Sequence, residues 1–171
     1  MSVFTDTLQR WLEGIAANKD QWTLHKIIEP LFDRYSSCAL SSAGLAISSG
    51  GATTVKIGAS DFYAVANGVL VKVAASTTLP ALVGTITATD YNVFCFFVDS
   101  AGNLTVAMGT QGTTLAGVVF PSFPKWKALI GFIIVTYSGT FTGGTTALDT
   151  ATTVYVNPLT AWDPSLLLGV G

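Results

Sequence analysis

The chain has 171 residues, of which only 8 are basic and 10 acidic, and its net charge is −2 at pH 7. An average soluble domain of this length carries about 43 charged side chains. The low positive charge excludes the electrostatic attraction on which nucleic-acid binding depends, and the longest apolar stretch, residues 128–137, is too short for a membrane-spanning helix. We therefore expect neither nucleic acid nor membrane as a partner, and we expect apolar surface to be covered in an assembly.

Residues 1–36 carry half of the charged side chains and are predicted to form a short helical segment. Apolar side chains recur at helical spacing before and after a break near Asn18, and Pro30 either kinks the second helix or begins another. Short helices need a packing partner. We therefore predict that their apolar stripes bind a partner protein or a neighbouring subunit; the alternative is that they cover an open face of the same chain. The predicted partner-binding residues are Phe4, Leu8, Trp11, Leu12, Ile15, Leu24, Ile28 and Leu31.

The rest of the chain divides by composition into three parts. Residues 37–51 are small, polar and rich in glycine, which predicts a connector with room for one strand at Leu45–Ser48. Residues 52–157 are predicted to form a β domain, and residues 158–171 a C-terminal tail.

The clearest β signal is Asn67-Gly68, between two runs of alternating residues. Both residues of a two-residue type I′ hairpin need positive φ, and the Asn-Gly pair favours this. The turn predicts an apolar face that pairs Phe62 with Val73, Ala64 with Val71 and Ala66 with Val69. The opposite face pairs Val65 with Leu70 and Tyr63 with Lys72, and is predicted to be a rim or an outer surface.

A second hairpin is predicted around residues 99–103, where an aspartate and a glycine suit a type I turn with a bulge. The preceding VFCFFV strand is apolar at every position, which predicts cover on both faces. Further strands are predicted at Thr53–Ile57, Val83–Thr87, Leu115–Val119, Lys127–Tyr137 and Thr153–Val156. The predicted fold is mainly β: an antiparallel β-sandwich or jelly-roll-like domain preceded by a short N-terminal helical segment.

The sequence shows no constellation of catalytic or metal-ligating residues. The single histidine, His25, has no second histidine or cysteine beside it, which favours a surface or packing role. Cys38 and Cys95 are predicted to be free apolar thiols in a cytosol, since no signal-peptide pattern is present. We predict no catalytic, cofactor-binding or metal-binding residue. Turn and capping roles are predicted for Asp61, Asp90, Asp99, Asp149 and Asp163.

Four segments carry a resemblance to a known class of protein: Ala64–Val73, Asn92–Thr110, Val118–Val135 and Phe141–Asn157. Through them, about two thirds of the chain, from Leu45 to Pro164, resembles virion structural proteins of tailed bacteriophages, of the capsid-decorating, cement or head-fibre type. The motifs are turns and strands, so no catalytic residue is carried over.

The resemblance implies a non-enzymatic capsid-decorating or cement protein that binds the head shell as a homo-oligomer and stabilises it. A homotrimer is the expected oligomer, and the major capsid protein or other virion proteins are the expected partners. No cofactor is expected, and the location is the virion, after synthesis in the host bacterial cytoplasm. The alternative is a tail or fibre module that binds a glycan or a protein on the host surface.

Overall fold

A computed structural model describes residues 36–159, and the sheets in this range are antiparallel. The prediction of a mainly β fold is confirmed: the range contains eleven strands and one turn of 3₁₀ helix. The jelly-roll arrangement stays a prediction. The strands are β1 (Cys38–Ala39), β2 (Ala46–Ile47), β3 (Val55–Lys56), β4 (Phe62–Ala66), β5 (Val69–Val73), β6 (Thr85–Ile86), β7 (Tyr91–Val98), β8 (Leu104–Met108), β9 (Ala128–Thr136), β10 (Phe141–Thr142) and β11 (Thr152–Val156).

The predicted helical segment lies outside the described residues, apart from its last residue, Ser36. All eight predicted partner-binding residues, from Phe4 to Leu31, therefore lie outside them too, as do His25 and Asp163. Of the predicted C-terminal tail, only residues 158 and 159 are described.

β7 lies inside a four-stranded sheet with the order β11-β9-β7-β8. Every residue from Asn92 to Val98 is buried, which confirms that this strand is covered on both faces. Its side chains alternate between two separate hydrophobic clusters. An inner cluster takes Phe94, Phe96 and Val98, and an outer cluster takes Val93, Cys95 and Phe97.

The turn between β7 and β8 has the predicted geometry. Gly102 has a φ of +84° and its N–H donates to the Asp99 carbonyl at 3.0 Å. The Asp99 carboxylate accepts hydrogen bonds from the N–H groups of Ala101 and Asn103, both at 2.9 Å. The aspartate therefore satisfies the open end of the hairpin.

A three-stranded sheet with the order β1-β4-β5 contains the Asn67-Gly68 hairpin. The two turn residues have φ values of +51° and +75°, and the predicted register is confirmed at all five pairs from Phe62↔Val73 to Ala66↔Val69. Phe62, Ala64, Val71 and Val73 are buried, whereas Tyr63, Leu70 and Lys72 are exposed. One face of this sheet therefore points to the core and the other to solvent.

The inner cluster joins the two sheets, since β1 and β4 both contact β9. Its largest fully buried side chains include Phe62 of β4, Phe94 and Phe96 of β7, and Phe141 of β10. The ring centroids of Phe94 and Phe141 lie 6.1 Å apart. Each such side chain contributes about 1.5–3 kcal/mol through removal from water. Two smaller ribbons, β2-β3 and β6-β10, complete the arrangement.

The outer cluster is covered by the segment between β8 and β9. Phe123 packs edge-on against Phe97 with centroids 5.2 Å apart, and Phe120 does the same against Phe132 at 5.1 Å. The prediction of a strand at Leu115–Val119 is wrong, because residues Leu115–Gly117 form a 3₁₀ turn. Of these five residues only Val118 is buried, so the alternation that a half-buried strand requires is absent.

Residues 37–51 are predicted to be a connector with one strand at Leu45–Ser48; that strand is present as β2, and the stretch also contributes the unpredicted strand β1. Ala39, Ala43 and Leu45 from this stretch are buried in the inner cluster. Small residues let backbones approach closely here: a Cβ on Gly58 would lie 2.7 Å from the Gly44 carbonyl oxygen. The small residues that suggested a linker therefore allow close packing of the backbone in this stretch.

Gly68→Val is expected to lower the free energy of unfolding by about 1–2 kcal/mol, which is the cost of a left-handed backbone for a residue with a Cβ. A Cβ at Gly68 meets nothing within 4 Å, so the effect is conformational rather than steric. Gly50→Val is the matched control, since Gly50 also has open space but lacks positive φ. Urea unfolding measures both variants, and equal losses would contradict the assigned turn type.

Candidate functional site

The outer side of the three-stranded sheet presents apolar side chains to solvent. Cys38, Val65 and Leu70 form one cross-strand row, and Leu40 and Tyr63 lie in the next, where the Leu40 N–H donates to the Tyr63 carbonyl at 2.9 Å. Leu70 is 65% exposed, Leu40 53% and Tyr63 38%. We call these five residues the apolar face. Exposed apolar patches on a protein surface mark candidate interaction sites.

The apolar face continues to the edge of its sheet. β5 pairs with β4 on one side, and no strand within residues 36–159 pairs with its other side. Leu70 lies on this edge strand, whereas the neighbouring Val69, 48% exposed, pairs with buried Ala66 on the other face of the sheet. An edge strand with free backbone donors and acceptors is a template for pairing with another chain. Face and edge together offer both apolar contact and backbone hydrogen bonds.

An ion pair between Lys72 and Asp61 borders the apolar face. The Lys72 ammonium lies 2.6 Å from the Asp61 carboxylate, which also accepts a hydrogen bond from the Ala75 N–H at 2.9 Å. The hydrogen bond from Lys72, followed by that from Ala75, lowers the pKa of Asp61 below its ordinary value of 3.8. The same pair raises the pKa of Lys72. Both groups stay charged at neutral pH, so the pair marks a polar rim.

Acid is expected to destabilise the fold through Asp61 and Asp99, whose pKa values are both lowered by hydrogen bonds. A lowered pKa in the folded state means that the stabilisation is complete above the unfolded pKa, near 3.8, and is lost as the pH falls below it. Urea unfolding between pH 6 and pH 2 measures this. Asp99→Asn should flatten the profile while retaining one acceptor oxygen, and an unchanged slope would contradict the assignment.

The described chain begins beside the apolar face. The Ser36 carbonyl accepts a hydrogen bond from the Gly68 N–H at 2.8 Å, and the Ser37 hydroxyl accepts one from the Asn67 N–H at 3.0 Å. These bonds fix the start of the described chain at the turn that leads into Val69 and Leu70. Ser36, the first described residue, therefore lies next to the exposed apolar side chains.

A second feature is a concavity at one end of the four-stranded sheet, with a volume of about 330 Å³. Every residue that lines it carries a hydroxyl group. We call it the hydroxyl pocket, and its residues are Thr89, Tyr91, Thr136, Tyr137, Ser138, Thr150 and Thr152. About a quarter of the whole chain is Ser, Thr or Tyr, so an all-hydroxyl lining exceeds what composition alone supplies.

Of the predicted turn aspartates, Asp99 accepts N–H bonds within its own turn as expected, whereas Asp61 and Asp149 accept them from segments distant in sequence. Asp61 and Asp99 accept backbone N–H bonds as described above, and the Asp149 carboxylate accepts the Gly51 N–H at 2.7 Å. Within residues 36–159, no group of three or more His, Cys, Asp or Glu side chains is arranged to hold a metal ion. No helix in the same range is long and apolar enough to cross a bilayer.

The two cysteines are free thiols in different surroundings. Cys95 is buried in the outer cluster, and its burial raises the pKa of the thiol. A thiol held in its neutral form is a poor nucleophile and metal ligand, so Cys95 acts as a small apolar core residue. Cys38 is partly exposed and belongs to the apolar face.

No protein-family model, curated protein or solved structure matches this chain. The resemblance to phage virion proteins therefore stays a prediction, and a function has to be inferred from the sequence and the structure of this chain.

Sequence reasoning found part of the apolar face and none of the hydroxyl pocket. The hairpin register placed Tyr63, Val65 and Leu70 on the outer side, as observed. It missed Cys38 and Leu40, because β1 has only two residues and lies in a stretch without strand periodicity. The pocket brings together three separate segments, near residues 90, 137 and 151, and their local patterns give no sign that they meet.

Proposed function

We propose that this chain is a non-enzymatic virion structural protein of a tailed bacteriophage, which decorates the capsid as a homo-oligomer and stabilises the head shell. The proposed domain is an antiparallel β-sandwich with jelly-roll-like topology, and the proposed oligomer is a trimer. The observation that carries the proposal is the apolar face, together with the low charge of the whole chain.

The apolar face suits contact between copies of the chain. Obligate interfaces bury about 2,000 Å² or more and resemble a domain core cut in half. Leu70, Leu40 and Tyr63 supply the apolar centre, and the Lys72–Asp61 pair supplies a charged rim. The free edge of β5 adds backbone groups that a neighbouring subunit can pair with.

The proposed attachment to the shell uses the N-terminal segment. Its apolar stripes would bind capsid protein in the helix-in-groove manner, with Trp11 as the main anchor, since aromatic residues dominate such contacts. The segment joins the domain next to the apolar face, at Ser36. This position also allows the alternative, in which the stripes cover the apolar face of their own subunit.

Deletion of residues 1–35 separates the two arrangements while keeping the Ser36 carbonyl that Gly68 uses. If the stripes bind the shell, the truncated protein stays folded and oligomeric but fails to cosediment with phage heads that lack the protein. Electron microscopy of heads incubated with the full chain should show added density on the shell. Density confined to the tail, or none, would contradict the proposal.

An aggregated or unfolded truncated protein would show that the stripes belong to the core of their own subunit. Trp11→Ala in the full chain then gives the second measurement. A loss of shell binding of about thirtyfold, with unchanged thermal stability, supports attachment through this segment. Lower stability with unchanged shell binding supports intramolecular cover.

A second candidate function is a tail or fibre module that recognises a host-surface glycan. The hydroxyl pocket is the observation that favours it.

A further inference from the structure

We propose that the hydroxyl pocket binds a neutral saccharide. This inference goes beyond capsid decoration and rests on separate residues, so it stands or falls independently of the oligomer. The volume of about 330 Å³ lies at the lower end of the roughly 300–1,000 Å³ usual for small-molecule sites. That size suits one or two sugar rings.

The sheet positions the centre of the pocket. Tyr91 of β7, Thr136 of β9 and Thr152 of β11 form one cross-strand row at the end of the four-stranded sheet. Side chains that face each other across adjacent strands lie close together on one face. The row therefore places three hydroxyl-bearing residues side by side on a rigid support.

Backbone hydrogen bonds fix the flanking segments. The Thr89 N–H donates to the Tyr137 carbonyl at 2.8 Å, which ties the loop before β7 to the end of β9. Tyr91 and Gly112 exchange two bonds of 2.9 and 3.0 Å. The pocket walls are thus held before any ligand arrives, which limits the ordering cost of binding.

Most of the pocket hydroxyls are available to a ligand. The Thr150 hydroxyl donates to the Ala147 carbonyl at 2.7 Å. The hydroxyls of the other six lining residues have no hydrogen-bond partner within residues 36–159. A protein hydroxyl is both donor and acceptor, and so is a sugar hydroxyl. The lining therefore matches a ligand whose own surface is made of hydroxyls.

Two tyrosine rings give the pocket its apolar surface. Tyr91 packs against the outer cluster and Tyr137 against the inner cluster, so the two rings reach the pocket from opposite faces of the sheet. A tyrosine combines a flat apolar body with a polar tip. Such rings suit the mixed apolar and polar faces of a pyranose.

The charges near the pocket favour a neutral ligand. None of the seven lining residues is basic. Asp90 lies between two of them in sequence, and Asp149 precedes Thr150 and acts on Tyr155, whose pKa is raised by burial and then by this charge. A phosphate, a sulfate or an acidic sugar would therefore find no basic side chain among the lining residues to pair with.

Thr89 adds a conformational observation. Its φ is +68°, in the left-handed region that β-branched residues rarely adopt. Strained backbone of this kind persists where the surrounding structure holds it, and it concentrates at ligand sites. Here it sets the direction of one pocket wall.

Ligand-observed NMR on the full chain tests the proposal, with D-glucose, D-galactose, D-mannose and N-acetyl-D-glucosamine as probes and N-acetylneuraminic acid as the charged comparison. We expect at least one neutral sugar to bind with a dissociation constant in the millimolar range. The double variant Thr136→Val/Thr152→Val removes two hydroxyls and preserves shape, and should weaken binding about tenfold or more. Thr85→Val, on an exposed threonine of β6, is the matched control and should bind normally.

Three results would overturn the inference: no binding of any neutral sugar, binding of N-acetylneuraminic acid alone, or equal binding by the double variant and the parent. Thr152→Trp gives a second measurement, because a large ring at this position fills the pocket rather than removing hydrogen bonds. Retained binding in that variant, with an unchanged fold by circular dichroism, would place the sugar elsewhere.

Discussion

Leu70→Lys is expected to dissociate the proposed homo-oligomer at micromolar concentration. Leu70 is the most exposed residue of the apolar face, at 65%, and lies on its edge strand β5, where a second copy would cover it in the proposed assembly. Truncating a central apolar contact costs about 2 kcal/mol or more, which is roughly a thirtyfold loss of affinity. A lysine adds the cost of desolvating a charge, so we expect a loss of more than about a hundredfold.

Leu115→Lys is the matched control for this substitution. Leu115 is 56% exposed in the 3₁₀ turn between β8 and β9, away from the three-stranded sheet. Light scattering after size-exclusion chromatography should show a monomer for Leu70→Lys and the parent oligomer for Leu115→Lys. The reverse pattern would move the interface to another surface. A parent-like oligomer with lowered stability in Leu70→Lys would instead indicate cover by residues 1–35.

Gly131→Val is expected to cause the largest loss of stability among the single variants, about 3 kcal/mol. A Cβ at Gly131 would lie 2.7 Å from the Leu45 side chain and 2.7 Å from the Val156 carbonyl oxygen. Leu45 can shift, but the Val156 carbonyl belongs to the neighbouring strand β11 and is held by the sheet. A fall in the midpoint of thermal unfolding of about 6–12 °C follows from the size of the chain.

A double variant tests the origin of that loss. Leu45→Ala removes the flexible half of the clash, so Gly131→Val/Leu45→Ala should be less destabilised than the sum of the two single changes by about 1 kcal/mol. Simple additivity would mean that Leu45 does not pack across β9 at this point. Gly50→Val again provides the control for introducing a valine in open space.

Local signals in the sequence predicted the parts of the fold that local chemistry determines. Asn67-Gly68 fixed both the turn and the register of β4 with β5, because a two-residue turn leaves no freedom in which residues face each other. The apolar VFCFFV stretch predicted a doubly covered strand, and β7 is one. The exposed positions of Tyr63 and Leu70 followed from the same register.

Features that depend on distant contacts were not predictable in this way. β1 exists because Cys38 and Ala39 pair with Val65 and Ala64, and two residues are too few for a periodic pattern. The hydroxyl pocket forms only when the ends of β7, β9 and β11 come together.

The 3₁₀ turn at Leu115–Gly117 was not predictable either, because its backbone packs closely against the backbone of Gly112. A Cβ on Gly112 would lie 2.5 Å from the Gly117 backbone. Such an approach leaves no trace in hydrophobic periodicity.

The central claim is that copies of this chain cover one another's apolar face in a trimer. Sedimentation equilibrium of the full chain tests this claim most directly. The proposal predicts a species of three times the chain mass of 17.8 kDa at micromolar concentration. A stable monomer under the same conditions would contradict it.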